Sequence, residues 1–358
     1  MLKTLKKATV FVLCLQLMLL TACKETPPES SSAVQDDVRY ETSSYAMDTV
    51  ITQILYGPNA EKAASEVNVA LLNIDAQLSR FVEGSYITQI NANAGIKFVQ
   101  VPQELYDLLK QETEWQPLSN GAFYLTIGPI TQAWGVTTDT PRVVPQSEID
   151  TLLPLVNDAD ILFDEENCAV MLRYEGQALD LGAIAKGWAC NIVKDIYEEN
   201  GITRAVISLG GNVYAMGVKP DGTQFRVGFR DPEGAQNAFI ARFTMQDKVI
   251  SVSGGYERYF EADGVIYNHI MNPATGAPVI TDVTSVGVIH EDGSYAEFMS
   301  TTLYVWGIEK TVEYMSGTPD CEIILLDAEN HVVYVSNTLE GNFALYDGYE
   351  EVYEVVFI

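Results

Sequence analysis

Four stretches of the chain bring together residue types that can handle phosphate or metal ions. Leu179-Asp-Leu-Gly-Ala-Ile-Ala-Lys-Gly187 leads from a short apolar run, through one acid and a glycine, into an amphipathic segment with a lysine near its start. Ile184, Trp188, Ile192, Val193, Ile196 and Tyr197 recur every three to four residues and Asn200-Gly201 supplies a stop, so the pattern predicts a strand over 178–181 and a helix over 183–200. A turn of this kind offers unpaired N–H groups and the positive end of a helix dipole, where anions settle. The same nine residues also fit a plain buried joint whose Asp180 caps the helix. His269-Ile-Met-Asn-Pro-Ala-Thr-Gly276 carries a histidine out of a strand into a Pro/Gly loop, which suits a site rim and equally a hydrogen-bonded strand histidine. Glu297 and Thr301, four apart on a predicted helix, share a face and can reach one ion, or else meet solvent and a helix carbonyl. Ser208-Leu-Gly-Gly-Asn212 lets backbone approach a phosphate, or is simply a tight turn.

Residue counts narrow the chemistry. The chain has three histidines, His269, His290 and His331, and no cysteine cluster, which nearly excludes a zinc or iron site of the His/Cys kind. Oxygen donors then remain for any metal, pointing to Mg²⁺ or Ca²⁺. Ser251 and Ser253 lack the strand–elbow–helix context of a hydrolase nucleophile. With 21 Lys+Arg against 49 Asp+Glu, the net charge of -28 repels nucleic acid and anionic lipid alike.

The elements that must position these groups are legible from periodicity. A first strand is expected over Tyr45–Leu55, with Met47-Asp48-Thr49 near its start, and then a helix from about Pro58-Asn59 to Leu78. Ser85 can cap a short helix through Ile90, and Leu105, Leu108, Leu109 and Glu112 mark another that ends before Pro117. Residues 122–135 read as an irregular, aromatic-rich loop. Strands predominate from Ile161, at 161–163, 169–174, 205–209, 213–217, 225–229, 239–245, 249–253 and 283–290, with Asp263-Gly264 turning a hairpin. Ser294 to Trp306 is a helix stopped by Gly307, and strands at 323–326 and 332–336 close the chain. The whole is a sheet-rich α+β chain with no internal repeat.

The N-terminus has the order of an export signal: Lys3, Lys6 and Lys7, then an apolar run from Ala8 to Leu20 that is too short to span a bilayer permanently. Leu20-Thr-Ala-Cys23 resembles the bacterial lipobox, in which the cysteine is acylated and becomes the first mature residue. The expected organisation is a signal peptide over 1–22, a flexible tether over 23–40 from lipidated Cys23, and one domain over 41–358. That places the protein on the cell membrane, lipid-anchored on its extracytoplasmic face. Cys168, Cys190 and Cys321 remain in the folded part, fitting apolar fillers and at most one disulfide.

Taken in order, the segments resemble the FAD:protein FMN transferases of the ApbE family. The resemblance rests on Tyr45-Ala-Met-Asp-Thr49, Leu78-Ser-Arg-Phe81, Gly121-Ala-Phe123, Gly128-Pro129, Trp134-Gly135, the 179–187 stretch, Ser208–Asn212, Val227-Gly228 with Asp231-Pro232, Tyr256-Glu-Arg-Tyr-Phe260, and His269-Ile to Pro273 with Thr275-Gly276. It covers roughly Tyr45 to Gly307. It implies a single T-fold-related α+β domain with mixed and antiparallel sheets and packed helices. It further implies a Mg²⁺-dependent enzyme that moves FMN from FAD onto a threonine hydroxyl of an exported flavoprotein and releases AMP. Carried over by position, Met47, Phe81, Ala122, Phe123, Tyr124, Asp180, Lys186 and Ile270 contact FAD. The Ala183 carbonyl, Glu297 and Thr301 hold the metal, and His269 lies near the phosphates, with His269 and Asp180 the catalytic pair.

The chain departs from the family's usual residues at four places: Asp48 for Gly, Tyr124 for Asp, Asn272 for Asp and Glu297 for Asp. Glu297 keeps the charge and adds a methylene, whereas Tyr124 and Asn272 each remove a carboxylate. An FAD diphosphatase giving FMN and AMP, and a flavin-binding lipoprotein without catalysis, are the alternatives those changes leave open.

Overall fold

The computed structural model describes residues 38–235, 238–317 and 319–358. The expected signal peptide, Cys23 and the tether up to residue 37 lie outside the described residues. No helix among the described residues is long and apolar enough to cross a membrane.

Alternation along the strands builds the fold, because successive side chains of a strand point to opposite faces. In the central strands, Val249, Val286, Val288, Ile323 and Leu325 enter one core, while Ile250, Ile289, Ile324 and Leu326 enter another. A sheet buried on both faces needs a layer on each side. One side receives the helices Ala60–Leu78, Ala185–Glu199 and Gly293–Trp306. The other receives a three-stranded antiparallel sheet of Phe225–Arg230, Phe239–Met245 and Phe343–Leu345.

The nine-stranded sheet runs in the spatial order Arg39–Ala46, Thr49–Tyr56, Ala205–Leu209, Asn212–Met216, Lys248–Ser253, Ser285–His290, Glu322–Asp327, Val332–Val335 and Glu354–Phe357. Every neighbouring pair is antiparallel except the last, which is parallel. A third core of Ile130, Trp134, Val144, Ile149 and Met271 joins the 128–134 helix to the loop after His269. This is the α+β architecture with mixed and antiparallel sheets that the sequence predicts.

Local expectations needed revision in four places. The strand expected over 45–55 is a hairpin of two strands, because Met47 and Asp48 both adopt left-handed φ of 52° and 57° and reverse the chain. Its first strand begins at Arg39, two residues inside the expected tether. The strand expected over 178–181 joins no sheet, since its backbone groups are taken by a side chain and two loops. The loop expected over 122–135 contains a helix, Gly128–Trp134, ended by Gly135 with φ of 59°. Two strands, Phe343–Leu345 and Glu354–Phe357, follow those expected to close the chain. Cys190 and Cys321 are buried free thiols, whereas Cys168 is half-exposed.

Candidate active site

Two glycines decide how the site is put together. A Cβ built on Gly187 would meet the Gly293 carbonyl oxygen at 2.0 Å, and one on Gly293 would meet the Gly187 oxygen at 2.2 Å. The 185–199 and 293–306 helices therefore touch backbone to backbone, a separation only glycine allows. Asn191 fastens the crossing, accepting the Gly293 N–H at 2.8 Å and donating to Asp292 at 2.8 Å. Asp292 in turn caps the 293–306 helix by accepting the Ser294 N–H at 2.8 Å.

This approach brings Glu297 onto the first turn of the opposite helix. Its carboxylate is 5% exposed, lies 2.9 Å from Lys186 Nζ, and accepts the Gly187 N–H through its other oxygen. A regular helix would give that N–H to the Ala183 carbonyl. The Ala183 carbonyl is thus left without a hydrogen-bond partner among the described residues. Thr301, one turn beyond Glu297, has its hydroxyl 3.5 Å from Ser253 Oγ, which also meets Ser300 Oγ at 2.9 Å.

Asp180 does not cap the helix, whose N-cap position is Ile184 without a side-chain cap bond. The loop that carries it is clamped instead. Asn91 donates to the Leu179 carbonyl at 3.0 Å and accepts the Leu179 N–H at 2.7 Å, and the Asp180 N–H goes to the Leu125 carbonyl at 2.9 Å. Gly128 approaches so closely that a Cβ there would sit 2.5 Å from the Ala178 oxygen. The carboxylate of Asp180 accepts Arg80 Nε at 3.0 Å, the Thr131 hydroxyl at 2.7 Å and the Gly182 N–H at 3.0 Å.

His269 follows the hairpin strand Val265–Asn268 and is held by a single carbonyl. Its backbone N–H donates to Arg258 O at 3.0 Å and its Nδ1 lies 3.1 Å from the same oxygen. A carbonyl only accepts, so the proton sits on Nδ1 and Nε2 keeps its lone pair. Burial lowers the His269 pKa to about 4; the Arg258 hydrogen bond opposes this, Lys186 and Arg258 reinforce it through their charge, and Asp180 opposes it weakly. The imidazole is therefore neutral at neutral pH, with Lys186 and Asp180 near enough to act on its charge.

A cavity of about 330 Å³ opens beside these groups, lined by Asp48, Val136, Thr137, Glu257, Arg258 and Tyr259. Arg80 Nη2 lies 3.4 Å from the Thr137 hydroxyl and Arg80 stacks over the Phe81 ring at 4.2 Å, which ties the cavity wall to Asp180. Met47 is half-buried at the hairpin tip, Phe81 is 60% exposed and Tyr124 is half-buried.

Three expected flavin contacts are buried. Phe123 is a core residue, packed edge-on to Phe298 with ring centroids 4.9 Å apart. Ala122 and Ile270 are buried, and the Ile270 backbone is committed to Asn268 Oδ1 at 2.9 Å and to the Val279 N–H at 2.8 Å. Asn272 holds its turn by accepting the Ala274 N–H on Oδ1 at 2.9 Å, a bond that an aspartate would make with the same geometry.

Arg80, Asn91, Thr131 and Arg258 received no role from the sequence, although Arg80 and Arg258 stand inside quoted motifs. The available signal was scarcity, since a chain with 21 cations against 49 acids places each arginine against many possible partners.

No group of three or more His, Cys, Asp or Glu side chains able to hold a metal occurs among the described residues. A carbonyl, one carboxylate and one hydroxyl, completed by substrate oxygens, is a set that suits Mg²⁺, which keeps few protein ligands. The unpartnered Ala183 carbonyl beside buried Glu297 fits that requirement.

Comparisons with known proteins define the class. The family model described as ApbE family matches residues 47–325, and the chain belongs to that family. A Klebsiella pneumoniae FAD:protein FMN transferase is 29% identical over 303 residues, covering 85% of this chain and 94% of its own. One from Treponema pallidum is 29% identical over 293 residues, covering 76% and 81%. The crystal structure of the Thermotoga maritima ApbE protein superposes with a TM-score of 0.74 at 28% identity, covering 88% of this chain and all of that one. The Vibrio cholerae flavin transferase ApbE shares the fold, with a TM-score of 0.72 at 23% identity and coverage of 88% and 99%. The protein is a transferase enzyme.

Proposed function

We propose that this chain is a Mg²⁺-dependent FAD:protein FMN transferase, acting on a threonine hydroxyl of an exported flavoprotein and releasing AMP. The observation that supports it most is the Lys186–Glu297 pair at the start of the 185–199 helix, with Asp180 just before that helix and both Lys186 and Asp180 near enough to act on the charge of a neutral His269.

Phosphoryl-type transfer asks chiefly for in-line positioning and charge neutralisation. The acceptor oxygen attacks the phosphorus on the FMN side of the diphosphate; the new O–P bond forms as the bond to AMP breaks. His269 Nε2, unprotonated at neutral pH, takes the hydroxyl proton. Lys186 supplies positive charge to the diphosphate once anionic substrate competes for it with Glu297. Asp180, held by Arg80 and Thr131, fixes the loop that faces the substrate. The Ala183 carbonyl, Glu297 and Thr301 would hold Mg²⁺, which when bound neutralises the phosphate oxygens.

We further propose that acyl chains on Cys23 hold the enzyme on the extracytoplasmic face of the cell membrane, from where it meets exported acceptors. Purified protein incubated with FAD, Mg²⁺ and a flavin-free acceptor domain tests the activity. Covalent flavin fluorescence on the acceptor together with AMP supports transfer. Free FMN with AMP indicates a diphosphatase, and unchanged FAD a binding lipoprotein. Release of a Cys23→Ala variant from the membrane fraction tests the anchor.

A further inference from the structure

Asp48 stands on a turn whose φ of 57° favours glycine, and its side chain is engaged on both oxygens. Tyr45 donates its hydroxyl to Oδ1 at 2.8 Å, and Arg258 Nη2 lies 2.8 Å from Oδ2. The Arg258 guanidinium is thereby tied to the hairpin tip. The Arg258 carbonyl is the one group that holds His269 through both its backbone N–H and Nδ1. A chain of contacts thus runs from Tyr45 through Asp48 and Arg258 to the imidazole, along one wall of the 330 Å³ cavity.

We propose that Asp48 is a positioning residue for His269: by anchoring Arg258 it keeps that carbonyl on Nδ1, so that the basic Nε2 faces the substrate. The proposal concerns residues of this chain and rests on the transferase reading only for its kinetic consequence. Without the anchor the guanidinium loses its tie to the hairpin tip; the pairing of Tyr259–Ala262 with Val265–Asn268 still holds the segment, so the carbonyl's hold on Nδ1 loosens and the ring samples both tautomers. Both pair members are partly exposed, at 44% for Arg258 and 70% for Asp48, so the effect is expected to be modest.

With three histidines in the chain, ring ¹⁵N resonances of substrate-free protein can be assigned and titrated for wild type, Asp48→Gly and Arg258→Met. The wild type is expected to show one His269 tautomer, protonated on Nδ1, titrating near 4. Both variants are expected to show tautomer averaging, with Lys186 and Asp180 still facing the ring and Arg258 remaining only in Asp48→Gly. In turnover, kcat falls about two- to fivefold with the KM for FAD little changed. Asp48→Glu restores most of the loss, and the double variant is no worse than either single one. An unchanged His269 tautomer in Asp48→Gly overturns the positioning role whatever the enzyme's activity. Absence of flavin transfer by the wild type overturns the transferase reading and leaves the spectroscopic result standing.

Discussion

Two ion pairs bracket the site, and they differ in everything except their charges. Lys186 and Glu297 meet between two helices pressed together at Gly187 and Gly293, with side-chain exposures of 27% and 5%. Arg258 and Asp48 meet across an open cavity with exposures of 44% and 70%. The first pair is over-determined: Glu297 also takes a backbone N–H, and removing it leaves a half-buried ammonium and an unpaired donor. In the second pair water can replace either partner. Burial thus separates a part of the site that must be right for the chain to fold from one that only adjusts the geometry.

Glu297→Ala should show the largest effect. We expect a loss of about 2–4 kcal/mol in denaturant unfolding, somewhat reduced because Lys186 keeps some access to water. Mg²⁺-dependent turnover should fall at least about a hundredfold. Turnover within tenfold of the wild type would remove Glu297 from the site. Gly187→Ala tests the crossing itself: the new methyl meets backbone rather than a flexible side chain, so about 1–3 kcal/mol should be lost, read as a lowered Tm.

Glu112 sharpens the comparison, being a buried acid with neither kind of partner. It is fully buried, both oxygens lack hydrogen bonds, and burial raises its pKa well above the ordinary carboxylate value, helped by the negative charges of Asp292, Glu297 and Asp158. Because the folded pKa is raised, protonation favours the fold below the unfolded value, and that contribution is lost as pH rises through the folded one. Glu112→Met should therefore stabilise the protein by about 1–2 kcal/mol at neutral pH and flatten the decline of stability above pH 4.5. A destabilised variant would show that the acid has a partner in solution.

His269 carries the opposite sign. Its folded pKa of about 4 lies below the unfolded 6.5, so between these values the unfolded chain binds more protons and stability falls as pH falls. The slope over that window should vanish in His269→Gln. Asp48→Gly, the smallest effect, should change stability by less than about 1 kcal/mol, because an exposed pair is lost and a left-handed residue becomes glycine.

Much of this was legible in the chain. The 60–78 and 293–306 helices follow from apolar spacing and, for the second, from Gly307 at its end, and Ser85 caps its helix by accepting the Thr88 N–H at 3.0 Å. Periodicity misled at 178–181, where four apolar-flanked residues resemble a strand but find Asn91, Leu125 and Gly128 in place of a sheet neighbour. It also missed the reversal at Met47-Asp48, which carries no glycine to signal a left-handed turn.

The chain by itself determined the types of group available: oxygen donors, one histidine ahead of a Pro/Gly loop, a lysine at a helix start, and an acidic balance that turns phosphate-rich polymers away. These are properties of composition and local spacing, and they survive without coordinates. Tertiary structure alone decided which of them meet. Glu297 reaches Lys186 across 111 positions because two glycines let helices touch, and Asp48 reaches Arg258 because a turn with left-handed φ aims it there. Such meetings depend on atom-scale clearances between segments remote in the chain, and no periodicity within either segment encodes them.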